Sequence, residues 1–266
     1  MQWMKYRLIY LIISGVFLTA GIFSLFKWGL NLGIDFTGGV VTEYKLSSGE
    51  IETKKFGIKT DEEITKIRED YKNQKATELR FETVGPSIGP ELIKKTFYAL
   101  AMSAILILVW VAIQFKSIKF GVSAILAMIH DSLVLVGGFS LLGHFAGVEV
   151  DFLFVTAVLT ILSFSVHDTI VVYDRIREKQ KKYDPTLGSD IKAIANSALT
   201  ETMVRSLNNS FTIIFMLLSL VLLGGDTVKW FAVALLIGTI SGTYSSPFVA
   251  VPILVTWEEW EKRLKK

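Results

Sequence analysis

The chain contains no cysteine, which excludes disulfides, thiolate catalysis and cysteine-ligated metal sites. It has three histidines in 266 residues, none in a His/Asp/Glu cluster at ligand spacing, so no zinc site is expected. Charge is also scarce: Asp, Glu, Lys and Arg make up 20% of the chain, and the net charge of +3 is no argument for nucleic acid. No constellation for hydrolytic or group-transfer chemistry is visible, so an enzyme is not expected. What is abundant is apolar: 51% of the residues are hydrophobic and the mean hydropathy is +0.48. That excess fits a polytopic membrane protein carrying one polar domain.

Six segments are long enough to cross about 30 Å of hydrocarbon as helices. They lie at about 8–26, 96–115, 120–142, 152–173, 207–223 and 230–255. The implied organisation is a cytoplasmic N-terminus and first span (1–28), an exported domain (29–95), a five-helix region (96–256) with a cytoplasmic loop (174–204), and a basic cytoplasmic tail (257–266). Lys/Arg bias in short loops sets the orientation. Lys5, Arg7, Lys116, Lys119, Arg175, Arg177, Lys179, Lys181, Lys182, Lys192, Lys262, Arg263, Lys265 and Lys266 fall on one side, while the opposite short loops offer only Lys229. Both termini are therefore expected in the cytoplasm. A cleaved signal peptide is the alternative for the basic start and first apolar run. That run is longer than a typical signal core, and it lacks a clear small-x-small cleavage site.

In the exported stretch, Val40-Val41-Thr42-Glu43-Tyr44-Lys45-Leu46 alternates and is rich in β-branched residues, as a strand does. Thr60-Asp61-Glu62-Glu63 has the form of a capping box opening a helix to about Gln74. Glu78 to Val84 returns as a second strand, giving a small α+β unit with few apolar residues of its own. Gly33-Ile34-Asp35-Phe36-Thr37-Gly38-Gly39 reads as a tight turn with glycines at positive φ. The alternative, a phosphate cradle, lacks the lysine and the helix that a P-loop needs. Val84-Gly85-Pro86 through Leu92 reads as a stiff connector back to the membrane.

The spans carry a few ionisable residues, and these are costly in lipid unless they face a bundle interior or a water path. His130-Asp131 falls near the centre of the third span, and neighbours in a helix point about 100° apart. Each is thus expected to find its partner on another helix, either as a packing lock or on a proton path. Asp168 follows His167 in the fourth span, roughly 9 Å inside its charged exit at 1.5 Å per residue. Arg205 opens the fifth span. It can pair with Asp168, pair with Glu201 one turn earlier on the same helix, or snorkel to the interface. Gly238 and Gly242 form a small-xxx-small face in the sixth span, and Pro247 is expected to kink it.

Four stretches together resemble the SecF-type members of the SecD/SecF family, within the RND superfamily. They are Gly33–Gly39, Val84-Gly85-Pro86 through Leu92, Asp168 through Glu178, and Gly238 through Ser246; His130-Asp131 is similar to the family's third-span pair. The resemblance spans nearly the whole chain in order. It implies a polytopic α-helical membrane protein whose partners are SecD, the SecYEG translocon, preprotein clients and the lipid bilayer. It also implies that proton-motive force drives late steps of preprotein export, with H+ or in some relatives Na+ as coupling ion and no other cofactor. On this likeness Asp168 is the proton-binding carboxylate, Arg205 its basic neighbour, and Gly33, Asp35, Phe36, Gly38 and Gly39 belong to the signature at the base of the exported domain. His167 stands where the family pattern leads one to expect Asn. An RND-type exporter acting as a homodimer is the competing function, and a purely structural scaffold is a third.

Overall fold

The computed structural model describes residues 1–85, 88–182 and 190–264. A 3-10 turn, Trp3–Tyr6, leads into α1 (Arg7–Trp28), followed by the one-turn α2 (Ile34–Thr37), β1 (Gly39–Lys45) and β2 (Ile51–Phe56). Then come α3 (Asp61–Asn73), β3 (Thr77–Val84), α4 (Ile88–Phe115), α5 (Ile118–Ala146) and α6 (Phe152–Lys182). The chain closes with α7 (Ile191–Leu223), α8 (Asp226–Ser245), a π turn (Ser246–Ala250) and α9 (Val251–Leu264). Among the described residues six helices are long and apolar enough to cross a membrane, the last formed by α8 and α9 together. The protein is thus a polytopic membrane protein with a small α+β domain between its first and second spans.

The helices extend beyond the apolar runs. Hydropathy places the entry to the fifth span near Leu207, yet α7 begins at Ile191, and α6 continues to Lys182. Charge holds these extensions together: Glu201 accepts from Arg175 at 2.6 Å and from Lys179 at 2.5 Å. Part of the expected connector, Pro86 and Ser87, lies outside the described residues, and the chain is helical again from Ile88.

Two compact units emerge, one made of Met1–Leu30, Leu100–Val148 and Leu153–Lys266, the other of Asn31–Ala99 and Glu149–Phe152. In the helical unit α5 packs against α1 and α8, and α7 against α8. Lipid supplies no hydrophobic drive between helices, so close approach and polar contacts must hold them. A Cβ on Gly137 would collide with the Cα of Gly21, so α1 and α5 touch backbone to backbone. Beside that contact Ser24 and Ser140 share a hydrogen bond of 2.7 Å. Gly137→Leu is therefore expected to push α1 off α5 and cost about 1–3 kcal/mol by overpacking. The measurement is thermal unfolding in detergent, and an unchanged midpoint would mean that the two helices do not touch.

Gly238 and Gly242 place α8 against α6, since a Cβ on Gly238 would overlap Ile161 and one on Gly242 would meet Ser165 at 3.4 Å. The expected kink at Pro247 takes the form of a single wide turn, in which the Val251 amide bonds back to the Ser246 carbonyl. At one end of the bundle Arg7 and Lys192 both pair with Glu259, at 3.0 and 2.8 Å, and Lys119 pairs with Glu261. The basic residues at the N-terminus and at the starts of α5 and α7 therefore gather around α9.

In the α+β unit β1 is the central strand, antiparallel to β2 on one side and β3 on the other. Val40 faces Phe56 on β2 and Thr83 on β3. β2 was not foreseen in the sequence. Its run Ile51-Glu52-Thr53-Lys54-Lys55-Phe56 is charged and mostly exposed, as suits an edge strand that must resist pairing with other chains. The unit's small core centres on Tyr44 and Tyr71, whose rings stack at 3.9 Å. Burial, aided by the hydrogen bond to Glu78, pushes the Tyr44 hydroxyl up to about 12.

The capping box at the start of α3 is complete: the Glu63 amide donates to the Thr60 hydroxyl at 3.4 Å, and the Thr60 amide donates to the Glu63 carboxylate at 3.0 Å. Those backbone and Lys59 bonds hold the Glu63 carboxyl below its ordinary value. Its contribution is thus present above the ordinary carboxylate range and lost as pH falls through the lowered value. Thr60→Ala is expected to cost about 1 kcal/mol, readable as a lower urea midpoint for loss of structure in this unit.

Candidate functional site

Asp168 is 3% exposed, on the buried face of α6. Its Oδ2 accepts a hydrogen bond from the Ser206 hydroxyl of α7 at 2.7 Å. The ion pair with Arg205 is not made. Consecutive residues on α7 point about 100° apart, so only one of Arg205 and Ser206 can face Asp168, and it is the serine. Arg205 is exposed and forms no ion pair among the described residues. Glu201 is engaged by Arg175 and Lys179 of α6 rather than by Arg205. The same rotation turns His167 to the exposed side of α6, with no hydrogen bond to Asp168.

Asp131 is more deeply enclosed, with no exposure at all. One oxygen accepts from Ser165 of α6 and Ser245 of α8, each at 2.6 Å. The other accepts from Ser241 of α8 at 2.6 Å and lies 3.1 Å from Nδ1 of His130. Both carboxylate oxygens are fully used, and three helices are tied to one side chain. Asp131 finds its partners on other helices as expected, but His130 does not: it turns back to its own neighbour. Its Nε2 has no hydrogen-bond partner among the described residues and lines a cavity of about 330 Å³ between α1, α5 and α8. The serine partners escaped the sequence reading, although Ser241 and Ser245 stand four apart on one face of α8. Among the described residues Asp168 and Asp131 are the two buried carboxylates of the bundle, on adjoining turns of one polar seam: Thr169, next to Asp168, shares a hydrogen bond of 2.9 Å with Ser246.

The signature residues occupy the α+β unit. α2 is a single turn entered at Gly33 and left through Gly38 and Gly39, at φ 71° and 134°. A Cβ on Gly39 would lie 2.5 Å from the Phe56 carbonyl, so position and conformation both demand glycine. Phe36 is buried, and its carbonyl occupies the space that a side chain on Gly89 would need. Asp35 accepts from the amide of Phe152 at 2.8 Å. No three His, Asp or Glu side chains gather in a metal-holding group among the described residues.

The family described as "Protein export membrane protein SecD/SecF, C-terminal" matches residues 63–260, and "SecD/SecF GG Motif" matches residues 23–50. The chain belongs to the SecD/SecF protein-export family. The protein translocase subunit SecF of Thermobaculum terrenum is 38% identical, aligned over 96% of this chain and 93% of its own length. SecDF of Bacillus subtilis is 32% identical over 98% of this chain and 38% of that protein. The crystal structure of SecDF from Thermus thermophilus superposes with a TM-score of 0.86 at 30% identity, covering 97% of this chain. A SecDF crystal structure in a super-membrane-facing form gives 0.76 at 29% identity. The chain spans only 39–40% of those SecDF chains. Within the family frame, the GG-motif match encloses Gly33 through Gly39, and the C-terminal match encloses Asp131, Asp168 and Arg205.

Proposed function

We propose that this chain is a subunit of the Sec export machinery which, with SecD, uses proton-motive force to drive late steps of preprotein translocation through SecYEG. The observation that carries this is Asp168: a carboxylate 3% exposed in an apolar helix, with one hydroxyl as its hydrogen-bond partner among the described residues. An ionisable group in a span is costly, and it marks an ion pathway by default. Among the described residues one hydroxyl bonds the carboxylate, an arrangement that suits binding and release of a proton, and H+ is the coupling ion of this reading. Protonation neutralises Asp168 and loosens its hold on α7. Arg205 sits one residue before Ser206, and a modest turn of α7 would exchange the serine for the arginine when the carboxylate is charged. His167 lies beside the same carboxylate on α6.

His130 and Asp131 have a different part. A carboxylate already holding three hydroxyls would have to break one of them to take a proton, so this pair locks α5, α6 and α8 together. Both termini and the charged ends of α6 and α7 face the cytoplasm of an inner- or plasma-membrane protein, and residues 29–95 are exported. The basic cluster around Glu259 supports that orientation.

The test is preprotein release from proteoliposomes containing this chain, SecD and SecYEG, under a proton gradient and then a sodium gradient. Release under the proton gradient alone is expected. Release under sodium alone would overturn the choice of ion. Release that ignores both gradients would overturn the function. Cross-linking in native membranes should capture SecD and SecY, whereas a lone homodimer would favour the exporter reading.

A further inference from the structure

We infer that the cavity between α1, α5 and α8 binds a membrane-dissolved alcohol, an uncharged apolar chain whose hydroxyl pairs with His130. This goes beyond export, and it stands or falls independently of Asp168.

Size and lining both suit a small molecule. Ligand pockets are mostly apolar, carry a few convergent polar groups and begin at about 300 Å³; this cavity measures about 330 Å³. Val134 and Ile237 give it apolar walls. Ile13, Phe17 and Ile240 also line it, and all three are exposed on helices long and apolar enough to span a membrane. The cavity therefore opens on a face that lies in lipid, and its occupant comes from the bilayer.

Four polar side chains reach the cavity. The Ser241 hydroxyl donates to Asp131 at 2.6 Å, and the Tyr244 hydroxyl donates to the Tyr10 carbonyl at 2.7 Å. Ser14 lies beside that tyrosine. The fourth is His130, 6% exposed, whose Nε2 has no hydrogen-bond partner among the described residues. A polar atom left unpaired in apolar surroundings is costly, so the site favours an occupant that bonds it.

The chemistry of Nε2 selects the occupant. Nδ1 of the same ring lies 3.1 Å from Asp131, whose oxygens already accept from three serines. Nδ1 thus carries the ring proton, and Nε2 offers a lone pair. Its partner must donate. A ketone or ester only accepts, an ammonium brings a charge into the cavity, and an amide donates but strands its own carbonyl. A single water takes about 30 Å³ and leaves most of the apolar volume unfilled. A hydroxyl on an apolar chain meets both demands. Its bond to Nε2 also strengthens the one from Nδ1 to Asp131, because linked hydrogen bonds polarise one another.

The experiment uses membrane vesicles containing the full chain and the photoactivatable alcohol 3-azioctanol, with labelled peptides read by mass spectrometry. Labelling is expected at 13–17 and 237–244, above the level at Leu106, an exposed residue of α4. At equal membrane concentrations, 1-octanol should displace this label about fivefold more effectively than n-nonane, the size of one net hydrogen bond. Val134→Trp, which fills the cavity, should remove the label at both segments and spare Leu106. His130→Phe should keep the label and lose the advantage of octanol over nonane. Labelling no stronger than at Leu106, or unchanged in Val134→Trp, would overturn the site. Nonane displacing the label as well as octanol would overturn the role of the hydroxyl. That comparison is made on the original chain, so it decides the point even if His130→Phe fails to fold. An octanol advantage that survives in a folded His130→Phe would overturn His130 as the partner.

Discussion

Asp168→Asn abolishes gradient-driven preprotein release, to the level seen without a gradient, while the protein still folds and assembles. The two halves of this expectation have separate physical causes. Asparagine has the shape of aspartate and retains a carbonyl oxygen that can accept from Ser206, now at 2.7 Å from Asp168. Neither the packing of α6 on α7 nor the burial of the site needs to change. What disappears is the exchangeable charge: the amide neither binds nor releases a proton in the physiological range, so the site stays neutral throughout the cycle. A removed charge in an apolar span also relieves an insertion cost, so thermal stability should be equal or slightly higher. The measurements are release from proteoliposomes and the unfolding midpoint in detergent. Intact release would make Asp168 a structural residue and move the power source to SecD. A collapsed midpoint would make the loss of release uninformative about coupling.

Asp131→Ala has the opposite signature, a loss of fold before any loss of coupling. The substitution strands the hydroxyls of Ser165, Ser241 and Ser245, all of which point at the two carboxylate oxygens from 2.6 Å. Breaking a buried charged network by removing one partner costs about 3–5 kcal/mol, because what remains is desolvated and unpaired. Such a loss is a large fraction of the stability of most domains. Low yield from the membrane and a much lower unfolding midpoint are expected. The network can be distinguished from simple loss of volume by a compensated variant. Asp131→Leu combined with Ser165→Ala, Ser241→Ala and Ser245→Ala replaces the whole polar knot with apolar groups and should recover much of the stability. If Asp131→Ala remains as stable as the original chain, the three serine contacts are not what holds these helices.

Much of this protein is legible from its order of residues. The six spans follow from unbroken apolar runs, because lipid admits only segments whose backbone bonds are satisfied internally. The helix α3 follows from Thr60 and Glu63, because a capping box involves residues three apart in one chain. Asp168 attracts notice for a similarly local reason: a carboxylate in an apolar run is anomalous wherever it ends up. The unforeseen features are of another kind. β2 carries so much charge that its alternation is hidden, and only its register with β1 makes it a strand. The contact of Gly21 with Gly137 pairs two ordinary-looking glycines far apart in the chain.

Chain order by itself thus determined the class of the protein, its six spans, the place of the polar domain and the carboxylates worth examining. Each of these depends on composition within about one helix or strand. Only the tertiary structure decided which side chains those carboxylates meet: Ser206 instead of Arg205 for Asp168, three serines for Asp131, and the first amide of α6 for Asp35. The reason is rotational. Neighbouring residues on a helix differ by about 100° in direction, so partner choice depends on how each helix is turned against the next. That angle is set by the packing of the helices together, through contacts that no local stretch contains.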